Sequence, residues 1–238
     1  MFFLNERKIL ITIPSYSASK ERWKINMESQ KIHNAKLLGG IGSILMLLLP
    51  VPTAGWIIAF VGLILILVAV KYIADEIKDH SIFNNFLLTF IIVIIGAVAA
   101  IFIIGISYFS YGAGIDWTTF QNVTSAPQFY QMMQTKGVVP FFTSIIAGLL
   151  VLWITLIVAT YFLRKSYNKI ASGTHTSMFH TAGLLYLIGA VTAIVLVGFI
   201  IIFVALILQI IAFFSMPETL STPSAASPPM QSGMPPQP

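Results

Sequence analysis

From Ala182 to Phe214 the chain runs for 33 residues without a charged side chain. As one straight helix this stretch would measure about 50 Å. Fitting it across an apolar layer takes a tilt of about 53°, beyond the usual upper limit for membrane helices. A hairpin turning near Gly198 is the better solution. The same pattern occurs from Ala35 to Ile73, AKLLGGIGSILMLLLPVPTAGWIIAFVGLILILVAVKYI, where Pro50, Pro52 and Gly55 separate a pair of apolar runs. Lipid offers the backbone no hydrogen-bond partners, so a segment inside it must satisfy its own groups as a helix. Two apolar helices joined by a break therefore read as a membrane hairpin.

The two stretches resemble each other. Residues 35–47 match 182–194 at Ala35/Ala182, Leu37/Leu184, Leu38/Leu185, Ile41/Ile188 and Gly42/Gly189, an offset of 147. Residues 55–69 match 198–212 at nine of fifteen positions with an offset of 143, beginning with Gly55 on Gly198. This reads as an internal repeat whose copies run the same way through the bilayer. Phe86 to Phe109 and Val138 to Leu163 supply two further spans, the second with Pro140 in its first turn, where a missing N–H costs little. The fold expected is all-α: a polytopic transmembrane bundle of about six helix segments in three hairpins.

Composition agrees, with 57% hydrophobic and 9% charged residues and a mean hydropathy of +0.90. The helical domain covers residues 35–214. A basic polar arm over 1–34 precedes it, without the apolar run or small-residue cleavage site of a signal peptide, and with Met27 as a second candidate start. A tail over 215–238 comes after it, where 7 of 24 residues are proline, a composition that forms no core and reads as disordered and solubilising. The first pass, Ala35 to Leu49, gives only about 22 Å of helix. It must extend into the interface, thin the bilayer or stop short of the far side.

The basic residues set the orientation. Arg7, Lys8, Lys20, Arg22, Lys24, Lys31, Lys36, Lys71, Lys78, Arg164, Lys165 and Lys169 collect on one side if the chain folds as three hairpins, leaving Lys136 opposite. That side is expected to be cytoplasmic, with both termini. A five-pass alternative puts the tail outside. The net charge of +5 is read as orientation, and no nucleic-acid partner is expected. The 112–137 segment reads as a loop at the outer surface, and its Asn122-Val123-Thr124 has the form of a glycosylation sequon.

Two sets of residues stand out. Gly39, Gly42 and Ser43, Gly96 and Ala100, and Gly189 and Ala193 form small-residue faces that let helices approach closely. The other set lies in KYIADEIKDHSIFNNF, from Lys71 to Phe86. If its first half continues the helix, Asp75 and Asp79, and likewise Glu76 and His80, fall four apart on neighbouring faces. One reading is a juxtamembrane divalent-metal site. The other, which the residues favour, is a solvated helix end balanced by Lys71 and Lys78, with Asp79 or Ser81 capping the next helix. Asn84 and Asn85 complete this polar stretch.

The segments NAKLLGGIGSIL, VKYIADEIKDHSIFNNF, FHTAGLLYLIGAV and FFSMPE resemble the uncharacterised prokaryotic membrane-protein family catalogued as domain of unknown function 996. The likeness covers roughly Met27 to Glu218 and is most specific at Ala35 to Ser43 and Asp79 to Asn85. It implies a multipass membrane domain and carries over no catalytic residue.

Three classes of function compete. With no cysteine, thiolate metal sites, disulfides and cysteine nucleophiles are absent. The histidines His33, His80, His175 and His180 all lie outside the spans, in no reactive pattern. No enzymatic activity, cofactor or metal is therefore expected. Ion-coupled transport usually needs ionisable groups within spans, which are lacking. A pore or carrier for a small neutral solute would gather Ser43, Thr143, Thr155, Thr192 and Gln209 around one cavity. The reading favoured is a non-catalytic protein embedded in the bilayer that packs with itself, as a homo-oligomer, or with other membrane proteins.

Overall fold

The computed structural model describes residues 15–135 and 137–218. Six main helices form three antiparallel hairpins: α1 (Ser15–Leu47) with α2 (Gly55–Ile77), α3 (His80–Ser110) with α6 (Val138–Thr174), and α7 (Met178–Thr192) with α8 (Val197–Phe214). Two short helices, α4 (Thr118–Gln121) and α5 (Ala126–Met133), lie in the connection between α3 and α6. That connection, read from sequence as a plain loop, thus carries helical turns of its own. Helix α1 continues back through the basic segment to Ser15, so much of the arm is helical. The proline-rich tail beyond residue 218, and residues 1–14, lie outside the described residues.

The breaks between helices arise from local chemistry. Helix α2 stops where Lys78 takes a left-handed conformation, φ 60°, and its N–H closes on the Ala74 carbonyl. Asp79 then caps α3, its carboxylate accepting from the Ser81 N–H at 2.9 Å. At the start of α6, Gly137 has φ 98°, a region open to glycine. Helix α7 gives way to a 3₁₀ turn over Ala193–Val195, and Leu196 reverses the chain with φ 64°. The turn of the last hairpin therefore lies just ahead of Gly198, which is already helical. Gly198 serves a different need: a Cβ there would fall 2.2 Å from the Gly189 carbonyl oxygen, so the two helices meet backbone to backbone.

The hairpins close into a ring in the order α1, α2, α3, α6, α7, α8, with α8 packed back on α1. Helices α1 and α8 are antiparallel, since Gly39 meets Phe213 and Ser43 meets Gln209. Helices α1 and α7 therefore run in parallel, as the repeat requires. One end of the ring carries Lys36, Lys71, Arg164 and Lys165, together with the connections α2–α3 and α6–α7. The end of α8 is also there, with the Ser215 hydroxyl 3.9 Å from the Met178 sulfur.

The main apolar core sits at this basal end. It joins Ala35, Val70, Ile73, Ile82, Phe86, Tyr167, Phe179, Ala212 and Phe213. Phe179 stands edge-on to Tyr167 at 5.6 Å and to Phe213 at 5.1 Å. Towards the other end α3 and α6 pack on each other, Gly148 against Ile104, and Gly112 in the 3₁₀ turn after α3 lies against Phe141. A small second core of Ile115, Val138 and Phe141 closes that end. Among the described residues five helical segments are long and apolar enough to cross a membrane: Gly55–Ile77, His80–Gly114, Val138–Thr174, Met178–Val195 and Val197–Phe214.

Candidate functional site

At the centre of the ring lies a partly open cavity of about 220 Å³. All six main helices reach it, through Met46, Ile66, Phe90, Leu156, Tyr186 and Gln209 among others. Its wall is almost wholly apolar. Two polar groups, Tyr186 and Gln209, bond each other at its edge, and Gln209 continues to Ser43. The Tyr186 hydroxyl donates to Gln209 Oε1 at 2.7 Å, Gln209 Nε2 donates to the Ser43 hydroxyl at 2.7 Å, and Ser43 donates to the Gly39 carbonyl at 2.7 Å. Ser43 and Gln209 are buried. In a low-dielectric setting each bond in such a chain gains strength, and each lost one leaves a costly orphan. The chain ties the first hairpin to the last.

The other polar residues of the spans do not join them. Thr143, Thr155 and Thr192 donate to the carbonyls of Val139, Val151 and Ile188 on their own helices, at 2.7–2.8 Å. Thr160 reaches the cavity wall, yet its hydroxyl is spent on Leu156 at 2.8 Å. Of the five residues expected to gather around one cavity, Ser43 and Gln209 meet, and Thr143, Thr155 and Thr192 do not join them.

The small-residue positions lie where helices cross. A Cβ on Gly42 would fall 2.5 Å from the Gly62 carbonyl oxygen, and one on Gly62 would fall equally close to that of Gly42. Gly39 lies under the Phe213 ring, Gly96 under Thr155, and Gly189 under Ile202 and Gly198. Ala100 is buried beside Gly148, and Ala193 beside Gly198. Gly42 and Gly189, equivalent in the repeat, each pack on the second helix of their own hairpin.

The polar stretch around Asp79 takes another form than a continuing helix would give. Because α2 ends at Ile77, Asp75 and Glu76 are helical while Asp79 caps and His80 opens α3, so no four-residue spacing along one helix face results. Asp75 lies 3.9 Å from the exposed His80 ring, and Asn84 is exposed while Asn85 accepts the Thr89 hydroxyl at its carbonyl, 2.9 Å. Asp79 is engaged by Lys169 from α6, whose ammonium stands 2.8 Å from its carboxylate. Lys169 also donates to the Ser81 hydroxyl, which itself bonds Asp79. Nearby, the Ser166 hydroxyl donates to the Ile82 carbonyl at 2.8 Å. The hydrogen bonds from Lys169 and then from Ser81 hold the Asp79 carboxyl down at about 2, with slight burial opposing them. Among the described residues no group of three or more histidine, aspartate or glutamate side chains is placed to hold a metal ion.

Sequence reasoning missed Lys169, Tyr186 and Trp153. The Trp153 indole N–H donates to the carbonyls of Ala190 at 3.0 Å and Val191 at 3.3 Å, where α7 ends. Their partners lie 23 to 90 residues away, beyond any local pattern.

Fold and site together define an all-helical bundle with helices of membrane-crossing length, a central apolar cavity and a hydrogen-bonded polar tie between the first and last hairpins. The chain belongs to the family described as protein of unknown function (DUF996), whose model matches residues 58–207. It is similar to the uncharacterized protein MJ1644 of Methanocaldococcus jannaschii, with 33% identity over 196 residues, covering 82% of this chain and 99% of that protein. No solved structure matches the chain.

Proposed function

We propose that this is a multipass membrane protein without catalytic activity, working through the contacts its helices make in the bilayer with lipid, with further copies or with other membrane proteins. The observation that carries this reading is where these polar groups bond: Tyr186, Gln209 and Ser43 bond one another, and Thr143, Thr155 and Thr192 bond their own helices. A solute path would need such groups to face open space. The collection of Lys36, Lys71, Arg164, Lys165 and the end of α8 at the basal end supports placing that end in the cytoplasm.

Flux of a small neutral solute such as glycerol into reconstituted vesicles is the direct test. The expected rate equals that of protein-free vesicles. A glycerol flux that disappears in Gln209→Leu or Thr155→Val, with detergent stability retained, overturns the reading in favour of a carrier or pore.

A further inference from the structure

The three hairpins are unequal in reach, and a common layer of packed aromatics allows them to be compared. Phe86, Tyr167, Phe179 and Phe213 form that layer, with Gly39 against Phe213 and Val70 in the same core. Lys36, Lys71 and Lys165 each lie within one helical turn of it along their own helices. The layer therefore lies near the water boundary of the basal side. From it α3 runs on to Ser110 and α6 to Val138, about 36 and 43 Å at helical rise. Helix α8 reaches only to Val197, about 24 Å, α7 to Thr192, about 20 Å, and α2 to Gly55, about 22 Å. The hydrocarbon layer is about 30 Å thick.

The tips have the chemistry of this depth. At the α7–α8 turn Ile194, Val195, Leu196, Val197 and Phe199 are each more than half exposed, and Leu196 is 73% exposed. The left-handed residue of this turn is an exposed leucine, whereas those of the basal connections are Lys78 and His175. Part of its backbone is satisfied within the protein. Leu196 N–H bonds Ala193 at 3.0 Å, Phe199 N–H bonds Leu196 at 3.1 Å, and Trp153 of α6 supplies the carbonyls of Ala190 and Val191. At the α1–α2 tip the polar side chain is Thr53, whose hydroxyl is turned onto the Pro52 carbonyl at 2.6 Å. Between Lys36 and Lys71 there is no charge.

We infer that α1–α2 and α7–α8 are re-entrant hairpins, entering and leaving the bilayer from the basal side, and that α3–α6 alone crosses it. This rests on the membrane reading above. Helices α2, α7 and α8 have the length and composition to cross, but part of each is used at the basal layer. The basal leaflet then holds six helices and the opposite leaflet two. Such a body is a wedge, and its partner is a bilayer whose basal leaflet lies on the convex side.

The cysteine-free chain makes the test direct. Single cysteines at Thr53, Ser125, Ser172 and Leu196 are treated with a membrane-impermeant maleimide from each side in turn. Expected is labelling of Ser125→Cys from the far side alone, of Ser172→Cys from the basal side alone, and of Thr53→Cys and Leu196→Cys from neither. A nitroxide at position 196 then collides with oxygen and not with a water-soluble nickel chelate. Labelling of Leu196→Cys or Thr53→Cys from the far side overturns the re-entrant topology. Equal labelling of Ser125→Cys and Ser172→Cys from one side, on protein that alkaline carbonate strips from membranes, overturns the membrane reading itself. For the wedge, labelled protein is reconstituted with its basal end outward in a large vesicle from which a narrow tube is pulled. Enrichment on the tube is expected, and equal density on tube and flat membrane overturns it.

Discussion

The two ends of the bundle use the same residue types and do opposite things with them. At the base, Phe179 and Phe213 are fully enclosed, with edge-to-face contact at 5.1 Å. In the far half of α3, Phe102 and Ile101 are 67% and 70% exposed. Hydrophobicity cannot distinguish these positions, because a protein partner and a lipid tail are equally apolar. What differs is the neighbour across the gap: at the base glycines bring rings and backbones together, while much of the far half faces outward.

The sharpest way to break this contrast is to empty the basal core. Phe213→Ala should lower stability by about 3 kcal/mol in a reversible unfolding titration in mixed micelles, through lost packing and a residual cavity. Phe102→Ala should change it by less than about 0.5 kcal/mol. Equal losses would mean that the far half is packed as tightly as the base. Overpacking probes the same contrast less severely. Gly42→Leu places a side chain where Gly62 O stands 2.5 Å from an ideal Cβ, and should cost about 2 kcal/mol in the same titration. Gly105, with nothing within 4 Å, should accept leucine without measurable loss.

The polar tie should count for less. Gln209→Leu removes both of its bonds and should cost about 1 kcal/mol, the range measured for hydrogen bonds between membrane helices. Thr143→Val, deleting only a bond within its own helix, should lie within about 0.5 kcal/mol of the parent. The smallest effect is expected at the Asp79–Lys169 pair, which is partly exposed and screened. The folded pKa of Asp79 lies below the ordinary value of 3.8, at about 2. The stabilisation it brings is therefore fully present above about pH 4 and is lost as pH falls towards 2. Melting temperature of the parent should fall across that window more than that of Asp79→Asn, and parallel curves would show that the pair adds nothing.

Much of the fold was legible because long apolar runs broken by turn residues leave the backbone few ways to satisfy itself other than as helices. Pro50, Pro52 and Gly55 marked the first turn, and the length of Ala182–Phe214 demanded a second. Asp79 ahead of Ser81 announced a cap. The last turn was legible to within a few residues, near Gly198, but the residue that reverses the chain was not, because Leu196 takes the left-handed conformation without a glycine or proline to signal it. The repeat offsets of 147 and 143 did hold a clue: the second hairpin has four fewer residues at its tip, VLV in place of LLPVPTA. The site was less legible than the fold. Nothing local to Asp79 points to Lys169, and nothing local to Gly39 points to Phe213. The small residues could be found by spacing, but their partners are fixed only by tertiary packing.

The hydrogen-bonded chain through Ser43 also bears on how the hairpins come together. Ser43 donates within its own helix to Gly39, and Tyr186 pairs with Gln209 inside the last hairpin. Each hairpin thus engages the hydroxyl protons of Ser43 and Tyr186 within itself. Only the Gln209 amide donor is left waiting. The bond between the first and last hairpins exists only once both are in place, so it reports their docking.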